Sequence, residues 1–183
     1  MDSNYWKRAY KETWDASAER EKFMAQWIKD NTGLDTEIVG LGAGTNVFIS
    51  GTASEHGYEK GDADLHIKNT NIYIEVTGPL SDKVSSRSPL WFRPDKFNNA
   101  VRNARKGHNT FFAHHCPSSD LWRVIHIDDN LITRLFNDEF KVINPIIRGR
   151  SETYVEVPAN DSCVKPLIYL KTYLLSIAKE RGK

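Results

Sequence analysis

The chain has 183 residues, of which 39% are hydrophobic and 11% aromatic. This is enough for a sizeable core in one domain with an appended subdomain. The 25 Lys and Arg residues nearly balance 24 Asp and Glu residues, giving a formal net charge of +1. The total charge therefore identifies no partner, and any nucleic-acid surface must come from local clustering of basic residues.

Cysteine usage and hydropathy exclude several classes of protein. Cys116 and Cys163 lie far apart and form no Cys-x-x-Cys pair, which speaks against a zinc ribbon or a disulfide scaffold and predicts a reducing compartment, the cytoplasm. The first residues, MDSNYWKRAYKE, lack the apolar core of a signal peptide. No segment approaches the roughly 18 apolar residues of a transmembrane helix, so we expect no membrane partner.

The first predicted element is a helix over residues 4–31, with a break near residues 15–17. Gly33 is a plausible stop, because glycine is common just after a helix end. The aromatic and apolar residues of this segment recur at helical spacing: Trp6, Tyr10, Trp14, Phe23, Met24, Trp27 and Ile28.

Two glutamates of this helix compete for the inward-facing position. Glu19 shares a face with Phe23 and Trp27, which predicts that it points inward, an unusual place for a carboxylate without a partner. Glu21 lies on the other side of the apolar stripe, with Met24 and Ile28. The spacing alone leaves the choice open.

A strand is predicted over residues 36–41 (TEIVGL), followed by the glycine-rich segment 40–45. Nucleotide-binding glycine loops need a helix directly after the glycines, so that its N-terminus faces phosphate. Here residues 47–50 read as a strand, so we interpret the glycines as a turn or bulge. The polar residues 51–61 are a predicted loop.

The next segment, residues 61–79 (GDADLHIKNTNIYIEVTGP), predicts a β-hairpin with strands at 65–68 and 72–77 and an asparagine-rich turn. When the hairpin closes, Asp64 and Glu75 fall beside each other at one end. Two adjacent carboxylates repel and need a cation or a proton. A hard divalent metal is one explanation; two solvent-facing acids on an edge hairpin is the other.

Residues 80–94 predict an irregular segment, because Ser-Pro and Arg-Pro steps disfavour helix. A helix is expected at 95–106, ended by Gly107, then strands at 110–115 and 122–127 and a short helix at 128–137.

The tail predicts a strand at 153–157 and a helix at 164–181, with Pro166 in its first turn. The order of elements predicts an α/β fold, a small mixed β-sheet flanked by helices, with a C-terminal strand-helix extension. We expect a core over residues 1–130 and an extension over residues 131–183 packed on it.

Three short motifs in this order resemble the PD-(D/E)XK nuclease superfamily, and within it the archaeal Holliday junction resolvases. The segment 16–21 (ASAERE) is similar to the family's A-x-x-E-R-E helix, and 61–65 (GDADL) to its P-D element with Ala63 in place of proline. The segment 74–77 (IEVT) is similar to I-E-V-K. The resemblance covers about residues 15–128 and implies a restriction-endonuclease-like core.

The resemblance implies site residues as well. Asp64, Glu75 and the backbone carbonyl of Val76 would bind Mg²⁺ or Mn²⁺, and Glu19 would reach the metal directly or through water. Asp62 is either a second-ion ligand or a loop acid.

One position departs from the family pattern. Thr77 stands where the family has a lysine that activates the attacking water. The superfamily sometimes moves this lysine to the following helix, where Lys96 is the natural substitute and Lys83, in the preceding loop, is the second candidate. Loss of activity is the other explanation. A second departure is that the resolvases' serine in the glycine loop is absent.

Seven basic residues between positions 83 and 106 form a local cluster: Lys83, Arg87, Arg93, Lys96, Arg102, Arg105 and Lys106. Such a cluster would contact phosphates without reading sequence, and we select Lys83, Arg87, Arg93, Arg102 and Lys106 as nucleic-acid-binding residues. A solvated helix face is the alternative. Trp91 and Phe92 would stack on bases or be buried in the core.

Four histidines are interpreted as structural or surface residues. His114 and His115 are neighbours on a strand and face opposite sides, so they cannot chelate one ion together. His66 and His126 lack a partner at metal-binding spacing.

The sequence therefore predicts a Mg²⁺- or Mn²⁺-dependent DNA endonuclease, similar to Holliday junction resolvases. Its implied partner is branched or duplex DNA, and the resemblance implies a homodimer. A restriction- or repair-type nuclease of the same fold and a catalytically silent DNA-binding module are the alternatives.

Overall fold

The computed structural model describes residues 3–39, 63–147 and 149–181. The predictions for the glycine-rich segment 40–45, the strand 47–50, the loop 51–61 and Asp62 lie outside these residues. Within the described residues, four α-helices and two larger groups of strands form a mixed α/β protein, as the sequence predicted.

The first helix, α1, spans Ser3–Thr32 and continues through residues 15–17, so the predicted break is wrong. Its end is as predicted. Gly33 has a φ of 74°, a left-handed conformation that suits glycine. The Gly33 N–H donates to the carbonyl of Lys29 over 2.9 Å, which satisfies one carbonyl of the last turn.

Six strands of the described residues form the main sheet, in the order β1-β2-β3-β5-β6-β11. Their bounds are Thr36–Ile38 (β1), Leu65–Ile67 (β2), Ile72–Thr77 (β3), Asn109–Cys116 (β5), Leu121–His126 (β6) and Val164–Pro166 (β11). β3 and β5 are parallel and the other neighbours are antiparallel. The predicted mixed sheet is therefore confirmed.

The hairpin β2–β3 has the predicted strands, and Leu65 pairs with Ile74. Its turn contains Asn69 at a φ of 60°, a conformation that asparagine tolerates better than most residues. The Thr70 N–H closes the turn on the carbonyl of Ile67 over 3.1 Å. The open end of the hairpin, opposite this turn, therefore holds the start of β2 and the end of β3.

Helix α2, Pro94–Arg105, lies between the parallel strands β3 and β5 in the chain. Parallel neighbours cannot be joined by a tight turn, so the chain must cross back over the sheet. The crossover brings the N-terminus of α2 to the end of β3. At the opposite end, the Asn71 side chain of the hairpin turn donates to the carbonyl of Gly107 over 2.6 Å.

A second, three-stranded sheet of the described residues has the order β4-β10-β7. Its strands are Leu90–Phe92 (β4), Lys141–Ile143 (β7) and Tyr154–Val157 (β10). The prediction of irregular chain over residues 80–94 is therefore wrong at β4. This strand depends on pairing with distant β10, which local sequence cannot indicate.

The remaining elements are short. The α-helix α3 spans Asp129–Phe136, and the Asp128 carboxylate accepts a bond from the Leu131 N–H over 2.8 Å as its cap. A 3₁₀ turn, Pro117–Ser119, joins β5 to β6. Strands β8 (Ile146–Ile147) and β9 (Arg150–Ser151) form a small hairpin.

Two hydrophobic clusters lie on opposite faces of the main sheet. On one face, residues of α1 and of the last helix pack on alternate positions of β3 and β5, including Met24, Ile74 and Phe111. On the other, residues of α2, α3 and the second sheet pack on the opposite-facing positions, including Phe97 and Phe112. The predicted arrangement of helices on both faces is confirmed.

The last helix, α4, spans Leu167–Arg181. The prediction that it begins at Val164 is wrong, because residues 164–166 pair with β6 as the edge strand β11. Pro166 ends that strand, where a missing N–H costs little. The buried residues Leu170 and Leu174 place α4 in the cluster that contains α1. The C-terminal segment thus completes the main sheet.

Among the helices that the structure describes, none combines the length and the apolar character required to cross a membrane.

Candidate active site

Two buried carboxylates meet at the open end of the β2–β3 hairpin. Asp64 directly precedes β2 and is 8% exposed, and Glu75 lies in β3 and is 5% exposed. The Asp64 Oδ2 accepts a hydrogen bond from the Val76 N–H over 2.7 Å. The Asp64 N–H donates to the Ile74 carbonyl over 3.1 Å. These bonds fix Asp64 beside the strand that carries Glu75, so the predicted juxtaposition of the two acids is confirmed.

Lys96 reaches this pair from the first turn of α2. Its Nζ donates to the Glu75 Oε2 over 2.8 Å. The prediction that Lys96 lies at the carboxylate end of the sheet is confirmed, and its catalytic role stays a prediction. Lys83 is exposed in the segment that follows β3.

Burial and mutual repulsion dominate the electrostatics of the carboxylates. Burial raises the pKa of Asp64 above its ordinary value, against the effects of Lys96 and of the Val76 N–H. Burial and then the charge of Asp64 raise the pKa of Glu75 to about 8, although Lys96 opposes this. Burial lowers the pKa of Lys96, but the charges of Glu75 and Asp64 outweigh it and raise that pKa above its usual value. Two acids and one ammonium group thus form a tightly coupled unit.

A third acid belongs to this unit, and it is Glu21, not the predicted Glu19. Glu19 has 74% of its side chain exposed and pairs with Lys22 over 3.2 Å, whereas Glu21 is 2% exposed. The charge of Glu21 contributes to the raised pKa of Glu75. The prediction that Glu19 points inward is wrong, because two residues of an α-helix are about 200° apart around its axis.

The buried stripe of α1 explains the error. Ala18, Glu21, Met24 and Ile28 are buried, at the spacing of three, three and four residues that marks one helix face. Phe23 is 46% exposed and stacks on Trp122 at the rim. The spacing of Glu21 to Met24 and Ile28 is visible in the sequence, but the larger aromatic residues favour the wrong face.

Arg20 fixes the chain just after β3, a role that sequence analysis missed. Its guanidinium Nη1 donates to the Gly78 carbonyl over 2.7 Å, and Nη2 donates to the Pro79 carbonyl. Burial lowers the pKa of Arg20. These bonds attach α1, which carries Glu21, to the segment that directly follows β3, the strand of Glu75.

Gly78 is required at this position by space as well as by conformation. Its φ is 152°, and a Cβ placed there would overlap the backbone carbonyl of His115 in β5. No side chain fits without a shift of backbone. The exit from β3 is therefore held between Arg20 and β5.

Thr77 is half-buried and pairs with His114 in the parallel ladder. Burial, followed by the charges of Arg123 and Arg20, lowers the pKa of His114 to about 3, so its ring is neutral. The guanidinium of Arg123 can only donate to the His114 Nδ1, 3.3 Å away. The proton of the imidazole therefore lies on Nε2.

The structure divides the predicted basic cluster. Lys83 and Arg87 are exposed in the segment after β3, and exposed Arg93 precedes α2 with its Nη2 2.5 Å from Asp95. Arg102 and Lys106 are exposed as well, but they lie about 9 and 15 Å farther along the axis of α2 than Lys96. They approach the hairpin turn and lie away from the carboxylates.

The donor chemistry fits a hard divalent ion held by two carboxylates. Asp64 and Glu75 supply oxygen ligands, as Mg²⁺ and Mn²⁺ prefer. In the described part of the chain, no group of three or more His, Cys, Asp or Glu residues is arranged to hold a metal. Such an ion would therefore keep several waters, which is the usual habit of Mg²⁺.

The chain shows structural similarity to a solved protein but no match to a known family. No protein-family model matches the chain, and no curated protein matches it. The chain is similar to the solved structure of a nuclease from a fusselovirus, with a TM-score of 0.46 and 16% sequence identity over 86% of this chain and 86% of that chain.

Proposed function

We propose that the protein is a metal-dependent nuclease that hydrolyses phosphodiester bonds in DNA. One observation carries the proposal: the buried Asp64 and Glu75 lie together, and a separate helix places the Lys96 ammonium 2.8 Å from Glu75. Adjacent buried acids cost folding free energy. Such groups with strongly perturbed pKa values concentrate at functional sites.

Asp64, Glu75 and the Val76 carbonyl are the residues that would hold Mg²⁺ or Mn²⁺. When bound, the ion would neutralise phosphoryl oxygens and lower the pKa of a water. The chain itself prepares the site, because the Val76 N–H fixes the orientation of the Asp64 carboxylate. A preset ligand loses little conformational entropy when it binds a cation.

Lys96 takes the role of the lysine that Thr77 replaces. It is held by Glu75 at the N-terminus of α2, whose helix dipole also favours anions. Its positive charge would orient the attacking water or stabilise charge that develops on the phosphate. As an ammonium group it donates hydrogen bonds and accepts none.

Glu21 takes the role that the resemblance assigns to the helix glutamate. It is buried and close enough to influence the pKa of Glu75. From there it would order a water beside the metal ligands. Mutation of a carboxylate that supports metal ligands typically lowers metal affinity or activity about 10- to 100-fold.

DNA is the substrate that the surface favours. Lys83, Arg87 and Arg93 are exposed on the chain between β3, which carries Glu75, and α2, which carries Lys96, and Arg102 and Lys106 extend the positive charge along α2. Contacts from these residues to phosphates would give affinity without sequence readout. A four-way junction cut by a homodimer is the finer form of the proposal, motivated by the resolvase-like motifs.

The test is cleavage of labelled DNA by the purified protein with Mg²⁺ or Mn²⁺. The panel contains a four-way junction, linear duplex, a flap and a single strand. We expect cleavage of at least one substrate, abolished by EDTA and by Glu75→Ala or Asp64→Asn. Lys96→Met should lower the rate by about 10²- to 10³-fold, as for other electrostatic stabilisers.

Asp82→Asn is the matched control, because it removes an exposed acid from the neighbouring loop. It should cleave like the unmodified protein. Cleavage that survives Glu75→Ala would refute the proposed site. Binding of all substrates with cleavage of none would support a DNA-binding module without catalysis, which the threonine at position 77 favours.

A further inference from the structure

A cavity of about 550 Å³ opens beside the candidate active site. The end of β3 and the segment after it, including Thr77 and Leu80, form one wall. The second sheet forms another, with Trp91 of β4 and Tyr154 of β10. The volume lies within the roughly 300–1,000 Å³ of small-molecule sites. Neither Asp64 nor Glu75 lines the cavity, so metal binding by these carboxylates would not account for it.

The two aromatic rings of the cavity are held by hydrogen bonds. The Trp91 Nε1 donates to Glu156 over 2.9 Å, and the Tyr154 hydroxyl donates to Glu152 over 2.6 Å. The ring centroids are 6.0 Å apart, with the planes inclined by 38°. Trp91 nevertheless remains 40% exposed. Fixed, partly exposed rings lose little entropy when a flat ligand stacks on them.

Charge around the cavity is divided between its sides. Lys83 contributes to the lining, and Arg87 is exposed on the same segment. On the aromatic side, Glu152 and Glu156 hold the rings. A ligand with an anionic part and a flat uncharged part would therefore place the anion near Lys83 and the flat part against Trp91 and Tyr154. A nucleotide has this distribution of charge.

One edge of the cavity lies close to Glu75. Thr77 lines it and lies two residues beyond Glu75 in the same strand, a separation of about 7 Å. Arg20 fixes the chain just after Thr77, at the carbonyls of Gly78 and Pro79. A strand whose phosphate lies at Glu75 would thus bring a neighbouring base to the cavity.

We propose that this cavity binds one unstacked base of the DNA strand, next to the phosphate at the candidate active site. The proposal rests on the nuclease function and specifies the substrate: DNA with a base that is unpaired or readily unpaired, as at a junction, flap or single strand. Taking a base out of a duplex costs free energy, and an already unpaired base avoids this cost.

The experiment measures binding without cleavage. In EDTA, fluorescence anisotropy gives the affinity for a homothymidylate strand and for a strand of abasic residues of the same length, which has the same charge but no bases. We expect Trp91→Leu to weaken binding of the thymidylate strand roughly tenfold, the range for loss of one stacked base, and to leave the abasic strand unchanged. Trp91→Phe keeps a ring and should remain near the unmodified protein.

Phe136→Leu is the matched control, since Phe136 is a 65% exposed aromatic residue on α3, outside the cavity lining. Thermal melting shows whether Trp91→Leu is folded. If it is not, Tyr154→Leu replaces it and should show the same base-dependent loss of affinity. Equal affinity of Trp91→Leu and Phe136→Leu for both strands would overturn the proposal, and so would equal weakening of both strands by Trp91→Leu.

The binding result is independent of catalysis. Base-dependent binding without cleavage of any DNA would overturn the nuclease function and leave the cavity as a base-binding site. Cleavage that requires Glu75 but shows no base dependence through Trp91 would overturn the cavity proposal alone.

Discussion

Glu19 and Glu21 are only two residues apart in the sequence, but their surroundings differ completely. Glu19 lies in solvent beside Lys22, and Glu21 is buried near Glu75. An exposed ion pair contributes at most about 1 kcal/mol, whereas a buried carboxylate must be compensated by its environment. The two residues therefore provide a controlled pair for testing the site.

We predict that Glu21→Gln lowers the rate of DNA cleavage by about 10- to 100-fold. The amide keeps the size of the side chain but removes the charge near the proposed metal ligands. Glu19→Gln removes an equal charge from the exposed face and should change the rate less than twofold. Rates under single-turnover conditions give the comparison.

The opposite ranking of the two variants would restore Glu19 as the functional glutamate. Thermal melting of both proteins separates loss of activity from loss of folding. A Glu21→Gln protein that melts at the temperature of the unmodified protein but cleaves slowly would identify a functional role, because its folding is then unaffected.

At the scale of elements, the exit from β3 is held more tightly than its loop-like sequence indicates. Arg20 of α1 binds two successive carbonyls there, and Gly78 packs against the backbone of β5. Both contacts join elements that are far apart in the chain. The segment therefore depends on the assembled fold.

We predict that Gly78→Ala destabilises the protein by more than about 3 kcal/mol, because the new Cβ overlaps the His115 carbonyl and the backbone must move. Gly107→Ala is the matched control. Gly107 also has a positive φ, 77°, but nothing lies within 4 Å of an added Cβ, so only about 1 kcal/mol is expected. Urea denaturation measures both free energies of unfolding.

Equal losses in the two variants would show that positive φ, and not the close approach to β5, accounts for the cost. A Gly78→Ala loss near 1 kcal/mol would further mean that the exit from β3 can relax without disturbing β5.

Sequence reasoning succeeded where a local pattern determines the element. The hairpin, α2, β5 and β6 were predicted nearly to their ends, because turn residues, proline, glycine and alternation all agree there. It failed at β4 and β11, which exist through pairing with β10 and β6. It also predicted that Glu19 points inward, where Glu21 is the buried residue, since the direction of a helix face depends on what the rest of the chain packs against it.

At the scale of the whole molecule, the positive charge is unevenly placed on a nearly neutral chain. Lys83 and Arg87 lie on the segment that follows the carboxylate-bearing strand β3, whereas Lys68 lies in the hairpin turn that precedes this strand. Contacts between cations and phosphates release counterions and give binding a measurable dependence on salt. The slope of that dependence therefore counts the contacts.

We predict that Lys83→Ala and Arg87→Ala each reduce the slope of log affinity against log salt for duplex DNA by about 0.9. Lys68→Ala should leave the slope unchanged. Filter binding or anisotropy in EDTA at several salt concentrations provides the measurement. If all three variants keep the slope of the unmodified protein, the DNA binds elsewhere on the surface.

Lys96 lies on helix α2 and not on the strand that carries Glu75. Its neighbour in sequence, Phe97, packs against Phe92 and Phe112 with ring centroids 5.6 and 5.0 Å apart. A substitution that shifts this aromatic contact is expected to move the Lys96 ammonium relative to Glu75, without altering either charged residue. Hydrophobic substitutions around Phe97 therefore offer a means of adjusting the distance between Lys96 and Glu75 while both charges stay in place.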